Sequence, residues 1–229
     1  TGRDSNNTRL MSDVNYFTLE NNHFTSSSGT TGSFVQIIAS DSTGCKSYRI
    51  INNEFSRFKR DAVYIENGNK QTLISGNKFY QPEPFSPQGY LPLFYSSCIN
   101  LINTEEITVS ANDFGGGSPV WGQGSYTIDL QMGIAPHHFI HYQNLSKTKK
   151  GFILNNRFGN IHCSGNGQYN LLFAEKGDIS ISGNRFGSTD SLVSLSGKEA
   201  FHLLYLNGGT RTITNNLFSG IKGQYPDEN

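Results

Sequence analysis

Ile181-Ser182-Gly183-Asn184-Arg185-Phe186 holds a pattern that this chain repeats seven times: an aliphatic residue, two spacers, an asparagine, any residue, then phenylalanine. The other copies are Leu19/Asn22/Phe24, Ile50/Asn53/Phe55, Ile74/Asn77/Phe79, Val109/Asn112/Phe114, Ile153/Asn156/Phe158 and Ile213/Asn216/Phe218. Self-similarity at a period of roughly 20 to 50 residues marks a solenoid, because one repeat cannot bury its own apolar face and must stack on its neighbours.

The phenylalanines are 31, 24, 35, 44, 28 and 32 residues apart, while the pattern keeps rigid internal spacing. Variable loops therefore separate fixed rungs. The segments leading into each asparagine alternate at period two, as in Ile107-Thr108-Val109 and Ile179-Ser180-Ile181, which reads as strand. A second column of strands lies between the copies, at Phe34–Ala39, Ala62–Glu66, Cys98–Ile102, Tyr169–Ala174 and Phe201–Leu206, and Leu101, Phe173 and Tyr205 each stand eight residues before the next aliphatic anchor. Short strands and turns stacked at about 4.8 Å per coil are the geometry of a right-handed parallel β-helix, all-β, here with about seven coils. The residue before the asparagine is Asn, Gly or Ala in every copy, which suits a tight bend with an unusual backbone angle. Stacked asparagines then bond to one another up the rod, and the phenylalanines stack inside it. The residue between them runs His23, Glu54, Lys78, Asp113, Arg157, Arg185, Leu217, an alternation of charge that needs no substrate to explain it.

Lys plus Arg equals Asp plus Glu at 18 each, which removes the positive field that nucleic-acid binding requires. The longest apolar runs fall well short of the roughly 20 residues that cross a bilayer, so no membrane insertion is expected. Cys45, Cys98 and Cys163 match no metal or redox spacing, and His137, His138 and His141 lack a carboxylate or cysteine partner at a known spacing. No metal and no cofactor are expected. The repeats run from Phe17 to Phe218 as one domain over 1–229, and the chain opens at Thr1 without an initiator Met, which reads as part of a longer, processed chain.

In its Ile-x-x-Asn-x-Phe turns the chain resembles the right-handed parallel β-helix superfamily, which includes pectate and other polysaccharide lyases, polygalacturonase-like hydrolases, uronan epimerases and bacteriophage tailspikes. The resemblance implies action on, or adhesion to, a polysaccharide, and a place outside the cell or on a virion surface. No catalytic motif of those lyases or hydrolases is present to carry over residue by residue. Neither end carries a cap, so flanking domains or a homotrimer are expected to cover the open edges.

Lumen positions are packed, so chemistry belongs on an outer face or on the loops that widen a coil. The widest are Tyr80–Ser97 and Gly115–Lys150, which hold Tyr90, Tyr95, Trp121, Tyr126, Asp129 and His138. Aromatic faces for sugar rings point to Trp121, Tyr126, Tyr90 and Tyr95 as carbohydrate-binding residues, with His138 and Arg60. Glycoside hydrolysis needs two carboxylates roughly 5 to 9.5 Å apart. Asp61 and Glu66, which bracket Ala62-Val63-Tyr64-Ile65, and Asp129, on the candidate strand Tyr126–Gln131, are the candidates. The competing expectation is a non-catalytic spike, adhesin or structural segment whose aromatics staple their own loops to the rod.

Overall fold

The computed structural model describes residues 8–11, 16–26, 33–38, 47–67, 71–84, 96–130, 136–144, 146, 148–165, 167–188, 195–197 and 200–223. Every element among them is a strand, and every strand pairing is parallel. Successive turns of a right-handed parallel β-helix contribute one strand to each of three long sheets. The first sheet begins with Thr8–Met11 and Val35–Ile38 and continues through Asp61–Glu66, Ser96–Ile102, His137–Gln143, Gln168–Lys176 and Ala200–Leu206. The second takes the alternating segment before each repeated asparagine, and the third takes the short strand that holds each repeated phenylalanine. Closed turns number about five, not the expected seven. The three long sheets have seven strands each, but the outermost strand at either end is paired on one side only.

The corner between the second and third sheets is built by the repeated pattern. The residue before the asparagine is left-handed in all seven copies, with φ between 53° and 70° at Asn21, Asn52, Gly76, Ala111, Asn155, Gly183 and Asn215. Asparagine tolerates that region, and glycine enters it without strain. At Gly183 a side chain would also collide with Asn155 Oδ1, 2.1 Å from the position of a Cβ, so the larger corner residue below requires the smaller one above.

Behind the corner each asparagine accepts, through Oδ1, both the backbone N–H and the side-chain amide of the asparagine one turn earlier, from Asn22→Asn53 to Asn184→Asn216. Beside that ladder the rings of Phe24, Phe55, Phe79, Phe114, Phe158, Phe186 and Phe218 stack at 4.8 to 5.1 Å with interplanar angles of 4 to 9°. The inner rings are fully buried, whereas Phe218 is 44 % exposed and stacked on one side only. Phe218→Ala is therefore expected to cost about 1 kcal/mol, well below the roughly 3 to 5 kcal/mol of a fully buried phenylalanine, as read by urea or thermal unfolding.

Two expectations change. The expected strand in Gly115–Lys150 is present as Tyr126–Leu130, which opens a fourth sheet with Ile161–Gly165, Leu195–Gly197 and Ile221–Gly223, but the segment also holds His137–Gln143 of the first sheet, which was not expected. The fourth strand does not by itself set the period: the repeats that contain one span 44, 28 and 32 residues, and those without one span 31, 24 and 35. The column of Leu101, Phe173 and Tyr205 also breaks, because Leu101 pairs with Tyr142 and Tyr142 with Ala174, the register slipping between Tyr142 and Gln143. A shift of one residue turns a side chain to the opposite face. Leu101 fills the lumen, while Phe173 and its partner Tyr205 lie outside it.

Candidate functional site

Along the first sheet the alternation of inner and outer residues is interrupted once per strand. Ala62 and Val63, Cys98 and Ile99, Phe139 and Ile140, and Leu171 and Leu172 are all consecutive buried core residues. The residues flanking each pair are thrown outward and form two registered rows across the strands. One row runs Asp61, Ser97, His138, Asn170, His202; the other runs Tyr64, Asn100, His141, Phe173, Tyr205. Five strands at about 4.8 Å give rows roughly 19 Å long.

Side chains in these rows are bonded to one another. Asn100 donates through Nδ2 to Asp61 Oδ1 at 3.4 Å and accepts at Oδ1 from His141 Nδ1 at 3.0 Å. The amide of Asn170 lies 3.0 Å from His138 Nδ1, and its carbonyl 2.9 Å from His202 Nδ1. With the amides so oriented, His141 carries its proton on Nδ1 and His138 carries its proton on Nε2. The His138 ring stacks on Phe173 at 4.7 Å and 11°. Along the outer edge Tyr64 donates to Glu66 Oε2 at 2.6 Å, and Gln143 donates to Glu175 Oε2 at 2.9 Å.

Asp61 has no exposed surface. Burial pushes its carboxyl up to about 7, against the opposing effects of Arg60, whose Nε lies 3.5 Å from Oδ2, and of hydrogen bonds from Asn100, Ser33 and the Ser97 backbone. The charged form is disfavoured because water is excluded faster than its partners compensate. Burial likewise lowers His141 to about 4 and holds His138 well below the usual imidazole value, where His141 and His137 add to the effect. At neutral pH both imidazoles are uncharged.

The structure thus sets Arg60 beside Asp61, places His138 two strands away in the same row, and separates the rest. Glu66 is five residues from Asp61 on one strand, about 16 Å at 3.3 Å per residue, so the two are not a carboxylate pair across a glycosidic bond. Asp129 stands on the fourth sheet. Tyr126 is a lumen residue: fully buried, 5.1 Å from the Phe139 ring and 6.4 Å from that of Phe58, it offers no face to a sugar. Tyr90 and Tyr95 lie outside the described residues.

Trp121 is part-exposed, but its ring is covered by the Arg157 guanidinium at 4.6 Å, itself held by two 2.6 Å hydrogen bonds to Asp113. That contact ties one face of the ring to the rod, as a staple would. Trp121→Ala is expected to leave binding of any carbohydrate ligand within about twofold and to cost no more than about 1 kcal/mol of stability, as read by titration and by unfolding of the same variant.

Tyr64, Phe173, Tyr205, Asn100, His141 and Asn170 were not singled out as site residues by the sequence. The signal that finds them is the pair of adjacent apolar residues in each strand of the first sheet, which displaces the alternation and sends polar and aromatic residues outward. No group of three or more His, Cys, Asp or Glu among the described residues is placed to hold a metal ion. No family model matches the chain, and neither the curated proteins nor the solved structures contain a match to it.

Proposed function

We propose that this chain binds an extended polysaccharide along the outer face of the first sheet and cleaves it by proton transfer at Asp61. The observation that carries the reading is the pair of registered rows, in which a carboxyl titrating near 7 sits among amides, imidazoles and part-exposed aromatic rings. A group with that value is present both as acid and as base at neutral pH, the condition for general acid–base catalysis. In the hydrolysis Asp61 protonates the leaving glycosidic oxygen as the bond from C1 to that oxygen breaks, water forms the new bond to C1, and the proton that water loses returns to the Asp61 carboxylate. Phe173 and Tyr205 give the apolar faces of sugar rings a surface to lie on, and Glu66, Gln143 and Glu175 give hydroxyls their acceptors and donors. An extracellular or virion-surface location and a homotrimeric assembly belong to the same proposal.

Incubation with a panel of capsular, O-antigen and plant polysaccharides, followed by assay of new reducing ends and of unsaturated uronates, tests the cleavage. The expected result is product from one member of the panel. The complete burial of Asp61 favours a second reading, a non-catalytic spike or adhesin that binds through the same rows. Saturable binding with no product from any bound polysaccharide would replace the first reading by the second.

A further inference from the structure

The charges around the two rows limit what polysaccharide could lie on them. Among the described residues, Arg9 stands in register with Tyr64 two strands before it, Arg60 immediately precedes the strand of Asp61, and Lys176 stands in register with Gln143 and Glu66. Arg60 already faces the Asp61 carboxyl at 3.5 Å. The floor between Arg60 and Lys176 is Ser97, Asn100, His138, His141 and Asn170, none of it cationic at neutral pH. His138 and His141 are 1 % and 3 % exposed; the Asn170 amide occupies the Nδ1 lone pair of His138, and burial keeps His141 uncharged although its Nε2 lies 3.8 Å from Glu175 Oε2.

The exposed edge carries two carboxylates beside the single ammonium of Lys176. Glu66 and Glu175 lie there, and the donors nearest to them, the Tyr64 hydroxyl and the Gln143 amide, are already directed at those two carboxylates. What the edge offers a ligand is therefore acceptor oxygens, which suit hydroxyl and N-acetyl N–H groups. A polyuronate brings one negative charge per sugar and would need cations repeated along its path. Beside the edge the rings of Phe173 and Tyr205 lie 5.2 Å apart, Tyr205 being 40 % exposed, and they present an apolar surface that carries no charge.

We infer that these rows take a polysaccharide of uncharged sugars, neutral or N-acetylated, and discriminate against polyuronates. The inference deepens the reading given above and rests on it.

Equilibrium binding to dextran, mannan and chito-oligosaccharides, set against polygalacturonate and alginate, tests it at low and at high salt. Binding to at least one uncharged probe is expected, changed by salt no more than about twofold because no ion pairs form across the interface. Both polyuronates are expected to bind at least about tenfold more weakly. Tyr205→Ala is expected to weaken the uncharged ligand by about tenfold, which ties the binding to this face. Tighter binding of a polyuronate, lost as salt rises, would overturn the inference and leave the polysaccharide reading standing. Binding of none of the probes, or binding indifferent to Tyr205→Ala, would overturn the reading and the inference with it.

Discussion

Asn112→Ala is expected to lower the melting temperature by about 10 °C, the largest loss of stability from any single change in the ladder of asparagines. Asn112 is fully buried at the middle of the rod. Its Oδ1 accepts the Asn77 backbone N–H at 2.9 Å and the Asn77 amide at 3.0 Å, and its Nδ2 donates to Ile74 O at 2.9 Å and Asn156 Oδ1 at 3.0 Å. Alanine removes all four bonds. The Asn77 amide keeps the carbonyls of Ile50 and Ser75, but the Asn77 backbone N–H is left in a space that solvent does not enter. An orphaned buried donor costs about 1 to 3 kcal/mol, and with the Ile74 carbonyl and the emptied volume the sum is about 3 to 4 kcal/mol. For a chain of this length each kcal/mol shifts the midpoint by roughly 2 to 4 °C. Asn22→Ala is the comparison, because Asn22 is exposed in the first copy of the pattern and so has no earlier copy to donate to it. Its expected cost is below about 1 kcal/mol. If thermal or urea unfolding gave equal losses for the two variants, the ladder would not be what holds the turns together.

That contrast also explains why the fold was legible from the sequence. The asparagine and the phenylalanine each serve one geometric purpose, in the same surroundings, at every turn, so the chemistry that a corner demands recurs as a string of letters. Gly183 could be assigned to a left-handed corner before its φ was known, because few residues tolerate that angle. The site had no such advantage. His138 and His141 look like polar loop residues, since the strand His137–Gln143 lacks apolar–polar alternation, and it lacks it because Phe139 and Ile140 both face inward. The slip between Tyr142 and Gln143 then moved Phe173 from the lumen, where its spacing from Ile181 had placed it, to the outer row. For Trp121 the sequence leaves platform and staple open, and the position of Arg157 over one face of the ring cannot be read from it. Asp61 and Glu66 were close in sequence, but an extended strand carries five residues about as far as a helix carries eleven.

Asp61→Asn is expected to abolish cleavage, by about 10²-fold or more, while making the protein more stable at alkaline pH. The two effects have one origin. In the folded chain the carboxyl titrates near 7, above the value of 3.8 that an unfolded chain would give it. Between those values the folded state holds a proton that the unfolded state has released, so stability falls as pH rises from about 4 to about 7, and the whole cost persists above that. Three pH units correspond to about 4 kcal/mol, an upper bound, since the asparagine amide must take over the bonds from Ser33 and Asn100 and leaves Arg60 without its carboxylate. A gain of about 2 kcal/mol is expected at pH 8 and none at pH 4. Buried His138 and His141 act with the opposite sign: the unfolded chain protonates them first, so they lower stability as pH falls below about 6.5. They contribute alike in both proteins, as do Glu66 and Glu175, whereas Arg60 and Tyr64 feel the Asp61 charge, so the difference in unfolding free energy between variant and parent reports Asp61 together with those two. A difference that did not grow between pH 4 and pH 8 would show that Asp61 is charged in the folded state and is not the proton donor. A carboxyl that destabilises the rod at neutral pH is hard to account for by structure alone, because an asparagine there would extend the row of Asn100 and Asn170 without that penalty. Its presence is the strongest reason to look for chemistry on this face, and loss of cleavage together with gain of stability in one variant is the outcome that a scaffold residue would not give.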